Sequence, residues 1–276
     1  MNIRDLLFKA EQDLQTMDSA RLEAEVLLAH CLESSRASLY AHPELSVSED
    51  VETYFFTLLE KRQQNYPLAY LLGSKEFWSM DFDLDSNTLI PRPETEIVVE
   101  QALEFIPDRQ SCRILDLGTG SGAIALAVAS ERPSSQVLAV DVSEAALQVA
   151  IENSTRLKIR NVDFQHSNWF SEIKLSQFDL IVSNPPYVES ADQGLQDGEI
   201  SFEPRLALDG GEDGLNAFSV IIPQARDFLK NDGMLLVEHG YKQATALQDL
   251  LAQNNYSQIR TLQDYAGLQR CSCAIK

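Results

Sequence analysis

The sequence is poor in cysteine and has no long apolar run. Four cysteines in 276 residues are too few for the dense disulfide framework of small secreted domains. No apolar run approaches the roughly 18 residues that a membrane-spanning helix needs. Charged residues interrupt positions 1–14, where a signal peptide would require a continuous apolar stretch. We therefore expect a cytoplasmic protein without a membrane anchor.

Basic residues are also scarce, since 22 Lys and Arg stand against 42 Asp and Glu and the net charge is −20. Proteins bind duplex nucleic acid and anionic membranes through Lys and Arg, so neither is an expected direct partner. A basic protein partner is compatible with this charge, because opposite potentials speed encounter. The hydrophobic share of 44% is that of a globular chain and excludes intrinsic disorder.

The first part of the chain has the spacing of amphipathic helices. Apolar residues recur at intervals of three and four through residues 1–65, which predicts a small helical bundle. The bundle is either a stabilising appendage or a substrate-recognition module. In residues 77–85 apolar and polar residues alternate, and turn-forming residues follow at 85–87. This pattern predicts a β-hairpin within residues 76–90.

From residue 112 onward, strand and helix patterns alternate. This alternation predicts a mostly parallel sheet covered by helices on both faces. The last two strands have no helix between them and are expected to form an antiparallel edge. The predicted strands are 112–117, 136–141, 161–166, 178–183, 233–238, 256–263 and 270–275. We accordingly divide the chain into a helical domain (1–72), a linking hairpin (73–92) and an α/β domain (93–276).

Residues 188–213 interrupt this alternation as a long predicted loop. The segment carries eight acids and one base, so its net charge is −7. Long loops within compact domains are usually functional or disordered. The segment is either a solvated acidic loop or a docking surface for a basic partner.

A glycine-rich turn follows the first predicted strand of the α/β domain. Gly118, Gly120 and Gly122 permit a tight turn and a close approach by a ligand. Asp141 ends the next strand, about 20 residues later, and suits hydrogen bonds to ribose hydroxyls. The glycine spacing differs from that of dinucleotide sites, and Asp116 before the turn would repel a pyrophosphate but attract a cationic methionine moiety. The residues favour S-adenosylmethionine over NAD, and both stay candidates at this point.

The most specific motif is Asn184-Pro185-Pro186-Tyr187. Two prolines end the preceding strand and remove two backbone donors. Carbonyl oxygens are thereby left free at the sheet edge where open α/β sheets bind ligands. The Asn184 side chain adds a second acceptor, and Tyr187 adds a flat face. We interpret the motif as a site for the planar NH2 group of an amide or of a base amine.

The sequence gives only weak signals for a histidine general base or a metal site. The four histidines are interpreted as structural or exposed, and none is assigned a role as a general base. Cys271 and Cys273 are expected to share one strand face, but a metal site needs about four ligands. We therefore predict no metal site.

Together, the glycine turn and the tetrapeptide resemble class I S-adenosylmethionine-dependent methyltransferases that act on amino groups. Further segments extend the resemblance over nearly the whole chain, to the HemK/PrmC family of protein-(glutamine-N5) methyltransferases. They are residues 89–96, 203–204, 208–215, 238–240 and 264–270. The resemblance implies a Rossmann-like, mostly parallel seven-stranded sheet and S-adenosylhomocysteine as product. It also implies that the substrate is the Gly-Gly-Gln loop of peptide chain release factors 1 and 2.

The resemblance further implies a role for each matching residue. The expected cofactor-binding residues are Gly118, Thr119, Gly120, Ser121, Gly122, Asp141, Trp169 and Asn184. The expected substrate-binding residues are Asn184, Pro185, Pro186 and Tyr187, and the catalytic residues are Asn184, Pro185 and Tyr187. Asn168 stands where many methyltransferases carry an aspartate beside the adenine amine, and its oxygen can still accept that hydrogen bond.

Three alternatives stay open on the sequence. The first is a glutamine methyltransferase of a ribosomal protein, and the second is an adenine-N6 methyltransferase of nucleic acid. The net charge weighs against the second, because no basic track is present to follow phosphates. The third is a non-catalytic S-adenosylmethionine-binding module, for which the intact tetrapeptide would be unnecessary.

Overall fold

The computed structural model describes residues 1–174 and 177–276. Contacts between these residues divide the chain into two compact units. We call the first the helical unit, made of Met1–Gly73 and Asp197–Phe202, and the second the sheet unit, made of Ser74–Gln196 and Glu203–Lys276. Within the described part of the chain, no helix combines the length and the apolar character needed to cross a membrane.

The helical unit is built on an apolar core shared by its longer helices. Its helices are α1 (Ile3–Asp13), α2 (Ala20–Cys31), α3 (Arg36–Ala41), α4 (Glu49–Gln63) and α5 (Leu68–Leu72). Leu6 of α1, Leu27 of α2 and Phe55 of α4 are completely buried in one cluster. Each such side chain stabilises the fold by roughly 1.5–3 kcal/mol. The predicted helical bundle is confirmed.

A buried arginine joins a distant segment to the helical unit. Arg62 of α4 is 3% exposed. Its guanidinium lies 2.5 Å from the Glu23 carboxylate and 2.6 Å from that of Glu199. The Tyr66 and Phe202 rings also meet edge to face, with centroids 5.2 Å apart. The helical unit therefore includes residues that lie far beyond its helices in the sequence.

The sheet unit contains a seven-stranded sheet and a separate hairpin. The hairpin consists of β1 (Ser74–Phe77) and β2 (Met80–Asp83). The sheet strands are β3 (Arg113–Leu117), β4 (Gln136–Asp141), β5 (Val162–His166), β6 (Phe178–Ser183), β7 (Leu229–Glu238), β8 (Ser257–Gln263) and β9 (Gln269–Ile275). Their order is β5-β4-β3-β6-β7-β9-β8; the first five are mutually parallel, and β9 is antiparallel to both of its neighbours. The predicted mostly parallel sheet with an antiparallel edge is confirmed.

Helices cover the sheet and set the position of its carboxyl edge. They are α6 (Glu96–Phe105), α7 (Ala123–Glu131), α8 (Glu144–Leu157), α9 (Arg205–Leu208), α10 (Asn216–Phe228) and α11 (Ala244–Gln253). Leu115, Ile181 and Leu235, on three adjacent strands, are fully buried in one core with apolar residues of α10 and α11. Because β3, β4 and β6 are parallel neighbours, the residues that follow them meet at one edge.

The hairpin turn lies earlier than the sequence pattern indicates. Strands β1 and β2 are joined at Trp78 and Ser79, whose φ angles are 52° and 56°. Two consecutive positive φ values are typical of a tight two-residue hairpin turn. The predicted hairpin is confirmed, but its turn at residues 85–87 is wrong. Asp85 does form a turn, accepting a hydrogen bond from the Asn87 N–H at 2.9 Å, and this turn follows the hairpin.

The acidic segment 188–213 is more ordered than the predicted long loop. It contains short 3-10 helices at Gln193–Leu195 and Glu199–Phe202, followed by α9. Val188 forms a parallel bridge with Asp209, so the two ends of the segment lie together. The segment predicted as a long loop therefore contains three short helices. Its polar composition concealed these one-turn helices, which lack the apolar spacing of longer ones.

Candidate active site

The glycine turn and Asp141 are hydrogen-bonded to each other at the sheet edge. The Gly118 and Thr119 N–H groups both donate to the Val140 carbonyl, at 2.8 and 2.9 Å. One Asp141 carboxylate oxygen accepts from the Gly120 N–H and the other from the Ser143 N–H, each at 2.9 Å. A carboxylate has about four lone-pair sites, so Asp141 keeps acceptor capacity for a ligand. The turn between β3 and α7 is thus held against the end of β4.

Asp116 is a buried acid beneath this turn. One of its oxygens accepts a hydrogen bond from the Thr119 hydroxyl at 2.7 Å. The other has no hydrogen-bond partner among the described residues. Burial raises the pKa of Asp116 to about 7, and the negative charge of Asp141 contributes to the shift. A buried carboxylate with an unsatisfied oxygen suits a cationic ligand group.

A cavity of about 420 Å³ lies beside these groups, within the sheet unit. Its volume is in the range of small-molecule sites. The predicted residues that line it are Gly118, Gly120, Asp141, Trp169, Asn184 and Pro186. Trp169 has a φ of 51°, and its indole lies beside Gly118. The structure therefore brings the ends of β3, β4 and β6 around one space, as their parallel order requires.

The other predicted site residues do not line this cavity. They are Thr119, Ser121, Gly122, Pro185 and Tyr187. The Thr119 hydroxyl bonds Asp116, and the Ser121 carbonyl accepts a hydrogen bond from the Asn153 side chain at 3.0 Å. Gly122 directly precedes α7, and an added Cβ there would lie 3.2 Å from that of Ala150. The two hydrogen bonds, and the small space left for Gly122, support the shape of the turn.

Several lining residues were not predicted. They include Leu89, Leu206, Asn216 and Val220. Leu89 belongs to a segment singled out by the family resemblance, which was the available signal. Leu206 lies on the one-turn helix α9, whereas Asn216 and Val220 face the cavity from α10. Nothing in the apolar spacing of these helices distinguishes a cavity wall from a packed core.

Asn184 is held from behind by a threonine. Its Nδ2 donates to the Thr95 hydroxyl oxygen at 3.3 Å. Thr95 is buried and ends the 3-10 helix Pro93–Thr95, just before α6. The Asn184 Oδ1 is then available to the cavity that this residue lines. The site thus offers an amide oxygen next to the glycine turn.

Tyr187 is fixed at both ends. Its hydroxyl donates to Glu238 Oε1 at 3.1 Å, and its carbonyl accepts from Gln243 Nε2 at 3.0 Å. Burial, with the nearby Glu238 charge, raises the pKa of Tyr187, so the phenol keeps its proton. Gly214 passes so close that an added Cβ would lie 2.4 Å from the Tyr187 carbonyl oxygen. The glycine-rich segment after α9 therefore packs against the tetrapeptide backbone.

Glu238, at the end of β7, is almost completely buried. Burial raises its pKa to about 7, while the Thr95 and Tyr187 hydroxyls and Arg270 stabilise its charged form. Its Oε2 lacks a hydrogen-bond partner in the described structure. Neither Glu238 nor Thr95 was predicted as a site residue, although both lie within segments that carry the family resemblance.

Arg92, the arginine between two prolines, pairs with a buried acid of the sheet unit. Its guanidinium bonds the Glu203 carboxylate, and the second oxygen of that carboxylate accepts the Ile90 N–H at 3.0 Å. Pro204, the next residue, lines the cavity. The pair therefore fixes the segment before α6 to one wall of the cavity. In residues 1–174 and 177–276 no cluster of three potential metal ligands occurs.

The fold is that of methyltransferases. The superposition on a ribosomal protein L11 methylase from Lactobacillus delbrueckii subsp. bulgaricus covers 67% of this chain and 80% of that chain, with a TM-score of 0.51 and 23% identity. The superposition on a methyltransferase from Pyrococcus furiosus covers 78% of this chain and 95% of that chain, with a TM-score of 0.55 and 20% identity. The Methyltransferase small domain family model matches residues 96–199. The fold and this match define the class of the chain, that of the methyltransferases.

Closer relatives narrow the class. The PrmC N-terminal domain model matches residues 5–73. A release factor glutamine methyltransferase of Shewanella oneidensis is 45% identical over 92% of this chain and 89% of its own length. A release factor glutamine methyltransferase of Salmonella typhimurium is 44% identical over 99% of this chain and 98% of its own length. The chain belongs to the release factor glutamine methyltransferase family, which confirms the resemblance noted in the sequence.

Proposed function

We propose that this protein transfers a methyl group from S-adenosylmethionine to the side-chain amide nitrogen (N5) of the glutamine in the Gly-Gly-Gln loop of peptide chain release factors 1 and 2. The observation that carries the proposal is the position of Asn184. Its amide is anchored through Nδ2 and lines the same cavity as the glycine turn and Asp141. Because translation termination takes place in the cytoplasm, we also propose that location.

The residues around the cavity fit the cofactor. Asp141 is positioned to accept hydrogen bonds from ribose hydroxyls, and Gly118 with Gly120 allows close approach by the methionine end. Trp169 supplies an aromatic wall beside Gly118. Asp116 and Asp141 together provide negative charge, which complements a sulfonium. When bound, the cofactor supplies an electrophilic methyl group whose sulfur leaves as a neutral thioether, keeping the electron pair of the broken S–C bond.

Asn184 and Pro185 prepare the nucleophile. A glutamine amide nitrogen is weak because its lone pair is delocalised into the carbonyl. Hydrogen bonds from its NH2 to Asn184 Oδ1 and to the Pro185 carbonyl orient that lone pair toward the methyl carbon, and Tyr187 and Pro186 border the flat amide. The nitrogen forms the new N–C bond and afterwards loses one proton to solvent, so no strong base is required. Positioning supplies most of the acceleration.

Specificity arises at two levels in this proposal. The site beside Asn184 demands a primary amide, and two glycines before the target let a backbone thread a narrow space. The helical unit and the acidic segment 188–213 contact the rest of the factor. An isolated loop peptide would lack those distant contacts and their binding energy.

The test is transfer of labelled methyl to three acceptors: the intact release factor, its Gln-to-Glu variant in the Gly-Gly-Gln loop, and a short Gly-Gly-Gln peptide. We expect strong labelling of the factor, none of the Glu variant and far less of the peptide. Label in the Glu variant would refute the glutamine assignment. Equal activity on peptide and factor would refute recognition at two levels.

A further inference from the structure

Behind the proposed acceptor lies a chain of buried polar groups. We propose that Thr95 and Glu238 are positioning residues that set which end of the Asn184 amide faces the substrate glutamine. This inference rests on the proposed function, because it explains how Asn184 presents an oxygen to an NH2 group. Both residues act through Asn184 and are not themselves in contact with substrate in this account.

The first step is the contact between Thr95 and Asn184. The two residues are 89 positions apart in the sequence, yet Asn184 Nδ2 lies 3.3 Å from Thr95 Oγ1. Thr95 is 4% exposed, so water does not compete freely for its hydroxyl. A threonine hydroxyl has one proton and two acceptor lone pairs. The direction in which that single proton points therefore decides whether Thr95 accepts from Asn184 or donates to it.

Glu238 determines that direction. An ionised carboxylate can only accept hydrogen bonds. The Tyr187 hydroxyl donates to its Oε1 at 3.1 Å, while its Oε2 has no hydrogen-bond partner among the described residues and the Thr95 hydroxyl stabilises its charged form. If the Thr95 proton points to Glu238, Thr95 can offer Asn184 only a lone pair. Asn184 must then turn its NH2 toward Thr95, which leaves Oδ1 for the cavity.

Protonation of Glu238 would remove this constraint. A neutral carboxyl group can donate to Thr95, and Thr95 could then donate to Asn184 Oδ1, with the amide reversed. The charged and titratable groups that act on Glu238 are Arg270, which favours its ionised form, Glu94, which opposes it, and the Tyr187 hydroxyl. The buried thiol of Cys271 also lies near it. Burial places the pKa of Glu238 at about 7, so both forms are accessible near neutrality.

A reversed Asn184 would be catalytically poor. Its NH2 would then face the NH2 of the substrate glutamine, so two donors would meet without an acceptor. The glutamine would lose the hydrogen bond that orients its lone pair. Misplacement of a reacting group by about 1 Å can reduce a rate about 100-fold. The main effect should therefore be on the rate of transfer, since distant contacts still hold the release factor.

Substitutions of Thr95 separate a hydrogen-bonding role from a packing role. Thr95→Val keeps the shape of the side chain but removes the hydroxyl, whereas Thr95→Ser keeps the hydroxyl. We expect the single-turnover rate of methyl transfer to the intact release factor to fall about 10- to 100-fold in Thr95→Val. This loss should be close to the loss in Asn184→Ala. Thr95→Ser should largely restore the rate, and KM for the factor should change little. Thr155→Val, an exposed site on α8, is the matched control and should be unaffected.

The outcomes separate this inference from the function on which it rests. Wild-type protein that does not label the factor would overturn the proposed function and, with it, this inference. Active wild type together with an equally active Thr95→Val would overturn the positioning role alone. The same conclusion would follow if Thr95→Ser were as slow as Thr95→Val, because the hydroxyl would then not be the group that matters.

A pH profile tests Glu238 directly. With cofactor and factor saturating, the wild-type single-turnover rate should fall about tenfold per pH unit below pH about 7. Glu238→Gln, which cannot ionise, should not show this fall in rate at low pH, whereas Glu152→Gln on the surface of α8 should show it. If the rate of Glu238→Gln falls at low pH as the wild-type rate does, another group titrates, and the role of Glu238 is overturned. Should Glu238→Gln not fold, the Thr95 variants still decide the inference.

Discussion

Asp141 connects two parts of the proposed cofactor site, because its carboxylate holds the Gly120 N–H while it faces the cavity. We expect Asp141→Ala to weaken S-adenosylmethionine binding by about 1–3 kcal/mol, the usual effect of losing hydrogen bonds to a charged group. Titration calorimetry measures this change. Asp163→Ala, an exposed site on the edge strand β5, should bind normally. Unchanged affinity in Asp141→Ala would remove Asp141 from the cofactor site.

Asp116 should make cofactor binding depend on pH. Below its pKa of about 7 the side chain gains a proton and loses the charge that attracts a sulfonium. Affinity for S-adenosylmethionine should therefore rise about tenfold between pH 6 and pH 8. S-Adenosylhomocysteine shares the same amino group but has no sulfonium, so it should show a smaller rise. Asp116→Asn should remove the difference between the two ligands, and a difference that persists would contradict this account.

The residues that sequence reasoning found and missed differ in a physical way. Asp141 and Asn184 were predictable because the first ends a strand and the second directly follows one, and parallel strands bring such positions to one edge. Thr95 and Glu238 were not, since their importance lies in contacts with Asn184 and Tyr187 made only by folding. Hydrogen bonds between residues this far apart leave no periodic signal in a single sequence.

At the level of elements, the sheet was predictable where burial is continuous. Strands such as β3 and β6 are apolar on both faces, so their pattern is distinctive. The turn at Trp78 and Ser79 was missed because the alternation of residues 77–85 continues through it, and Trp-Ser is not an Asn-Gly or Asp-Gly pair of the kind that marks a two-residue hairpin turn. The short helices of segment 188–213 were missed because one turn buries too little to impose a period.

The buried Arg62 leads to a testable prediction about the stability of the helical unit. In Arg62→Ala, Glu23 and Glu199 lose their shared cation, and Glu23 is left mostly buried without it. We expect the unit to be destabilised by about 3 kcal/mol, seen as faster amide hydrogen exchange in α2 and α4. Glu199→Gln should have a much smaller effect, because the Glu199 side chain is 46% exposed. Equal exchange in wild type and Arg62→Ala would show that the pairing adds no stability.

For the molecule as a whole, the charge of −20 should speed the encounter with a basic surface of the release factor. Screening by salt weakens attraction between exposed charges. Raising salt from about 50 to 500 mM should therefore lower kcat/KM for the intact factor about tenfold. The Gly-Gly-Gln peptide, which lacks the rest of the factor, should be much less sensitive.

Charge variants locate the source of this steering. Glu189 and Glu212 are exposed acids of the segment 188–213, and the pair Glu189→Gln and Glu212→Gln lowers its negative charge by two. That double variant should show a weaker dependence of kcat/KM on salt than wild type. Glu104→Gln with Glu152→Gln changes the net charge equally but on helices α6 and α8, so it should resemble wild type if the effect is local. Equal slopes in the two double variants would indicate that net charge, rather than the acidic segment, guides the release factor.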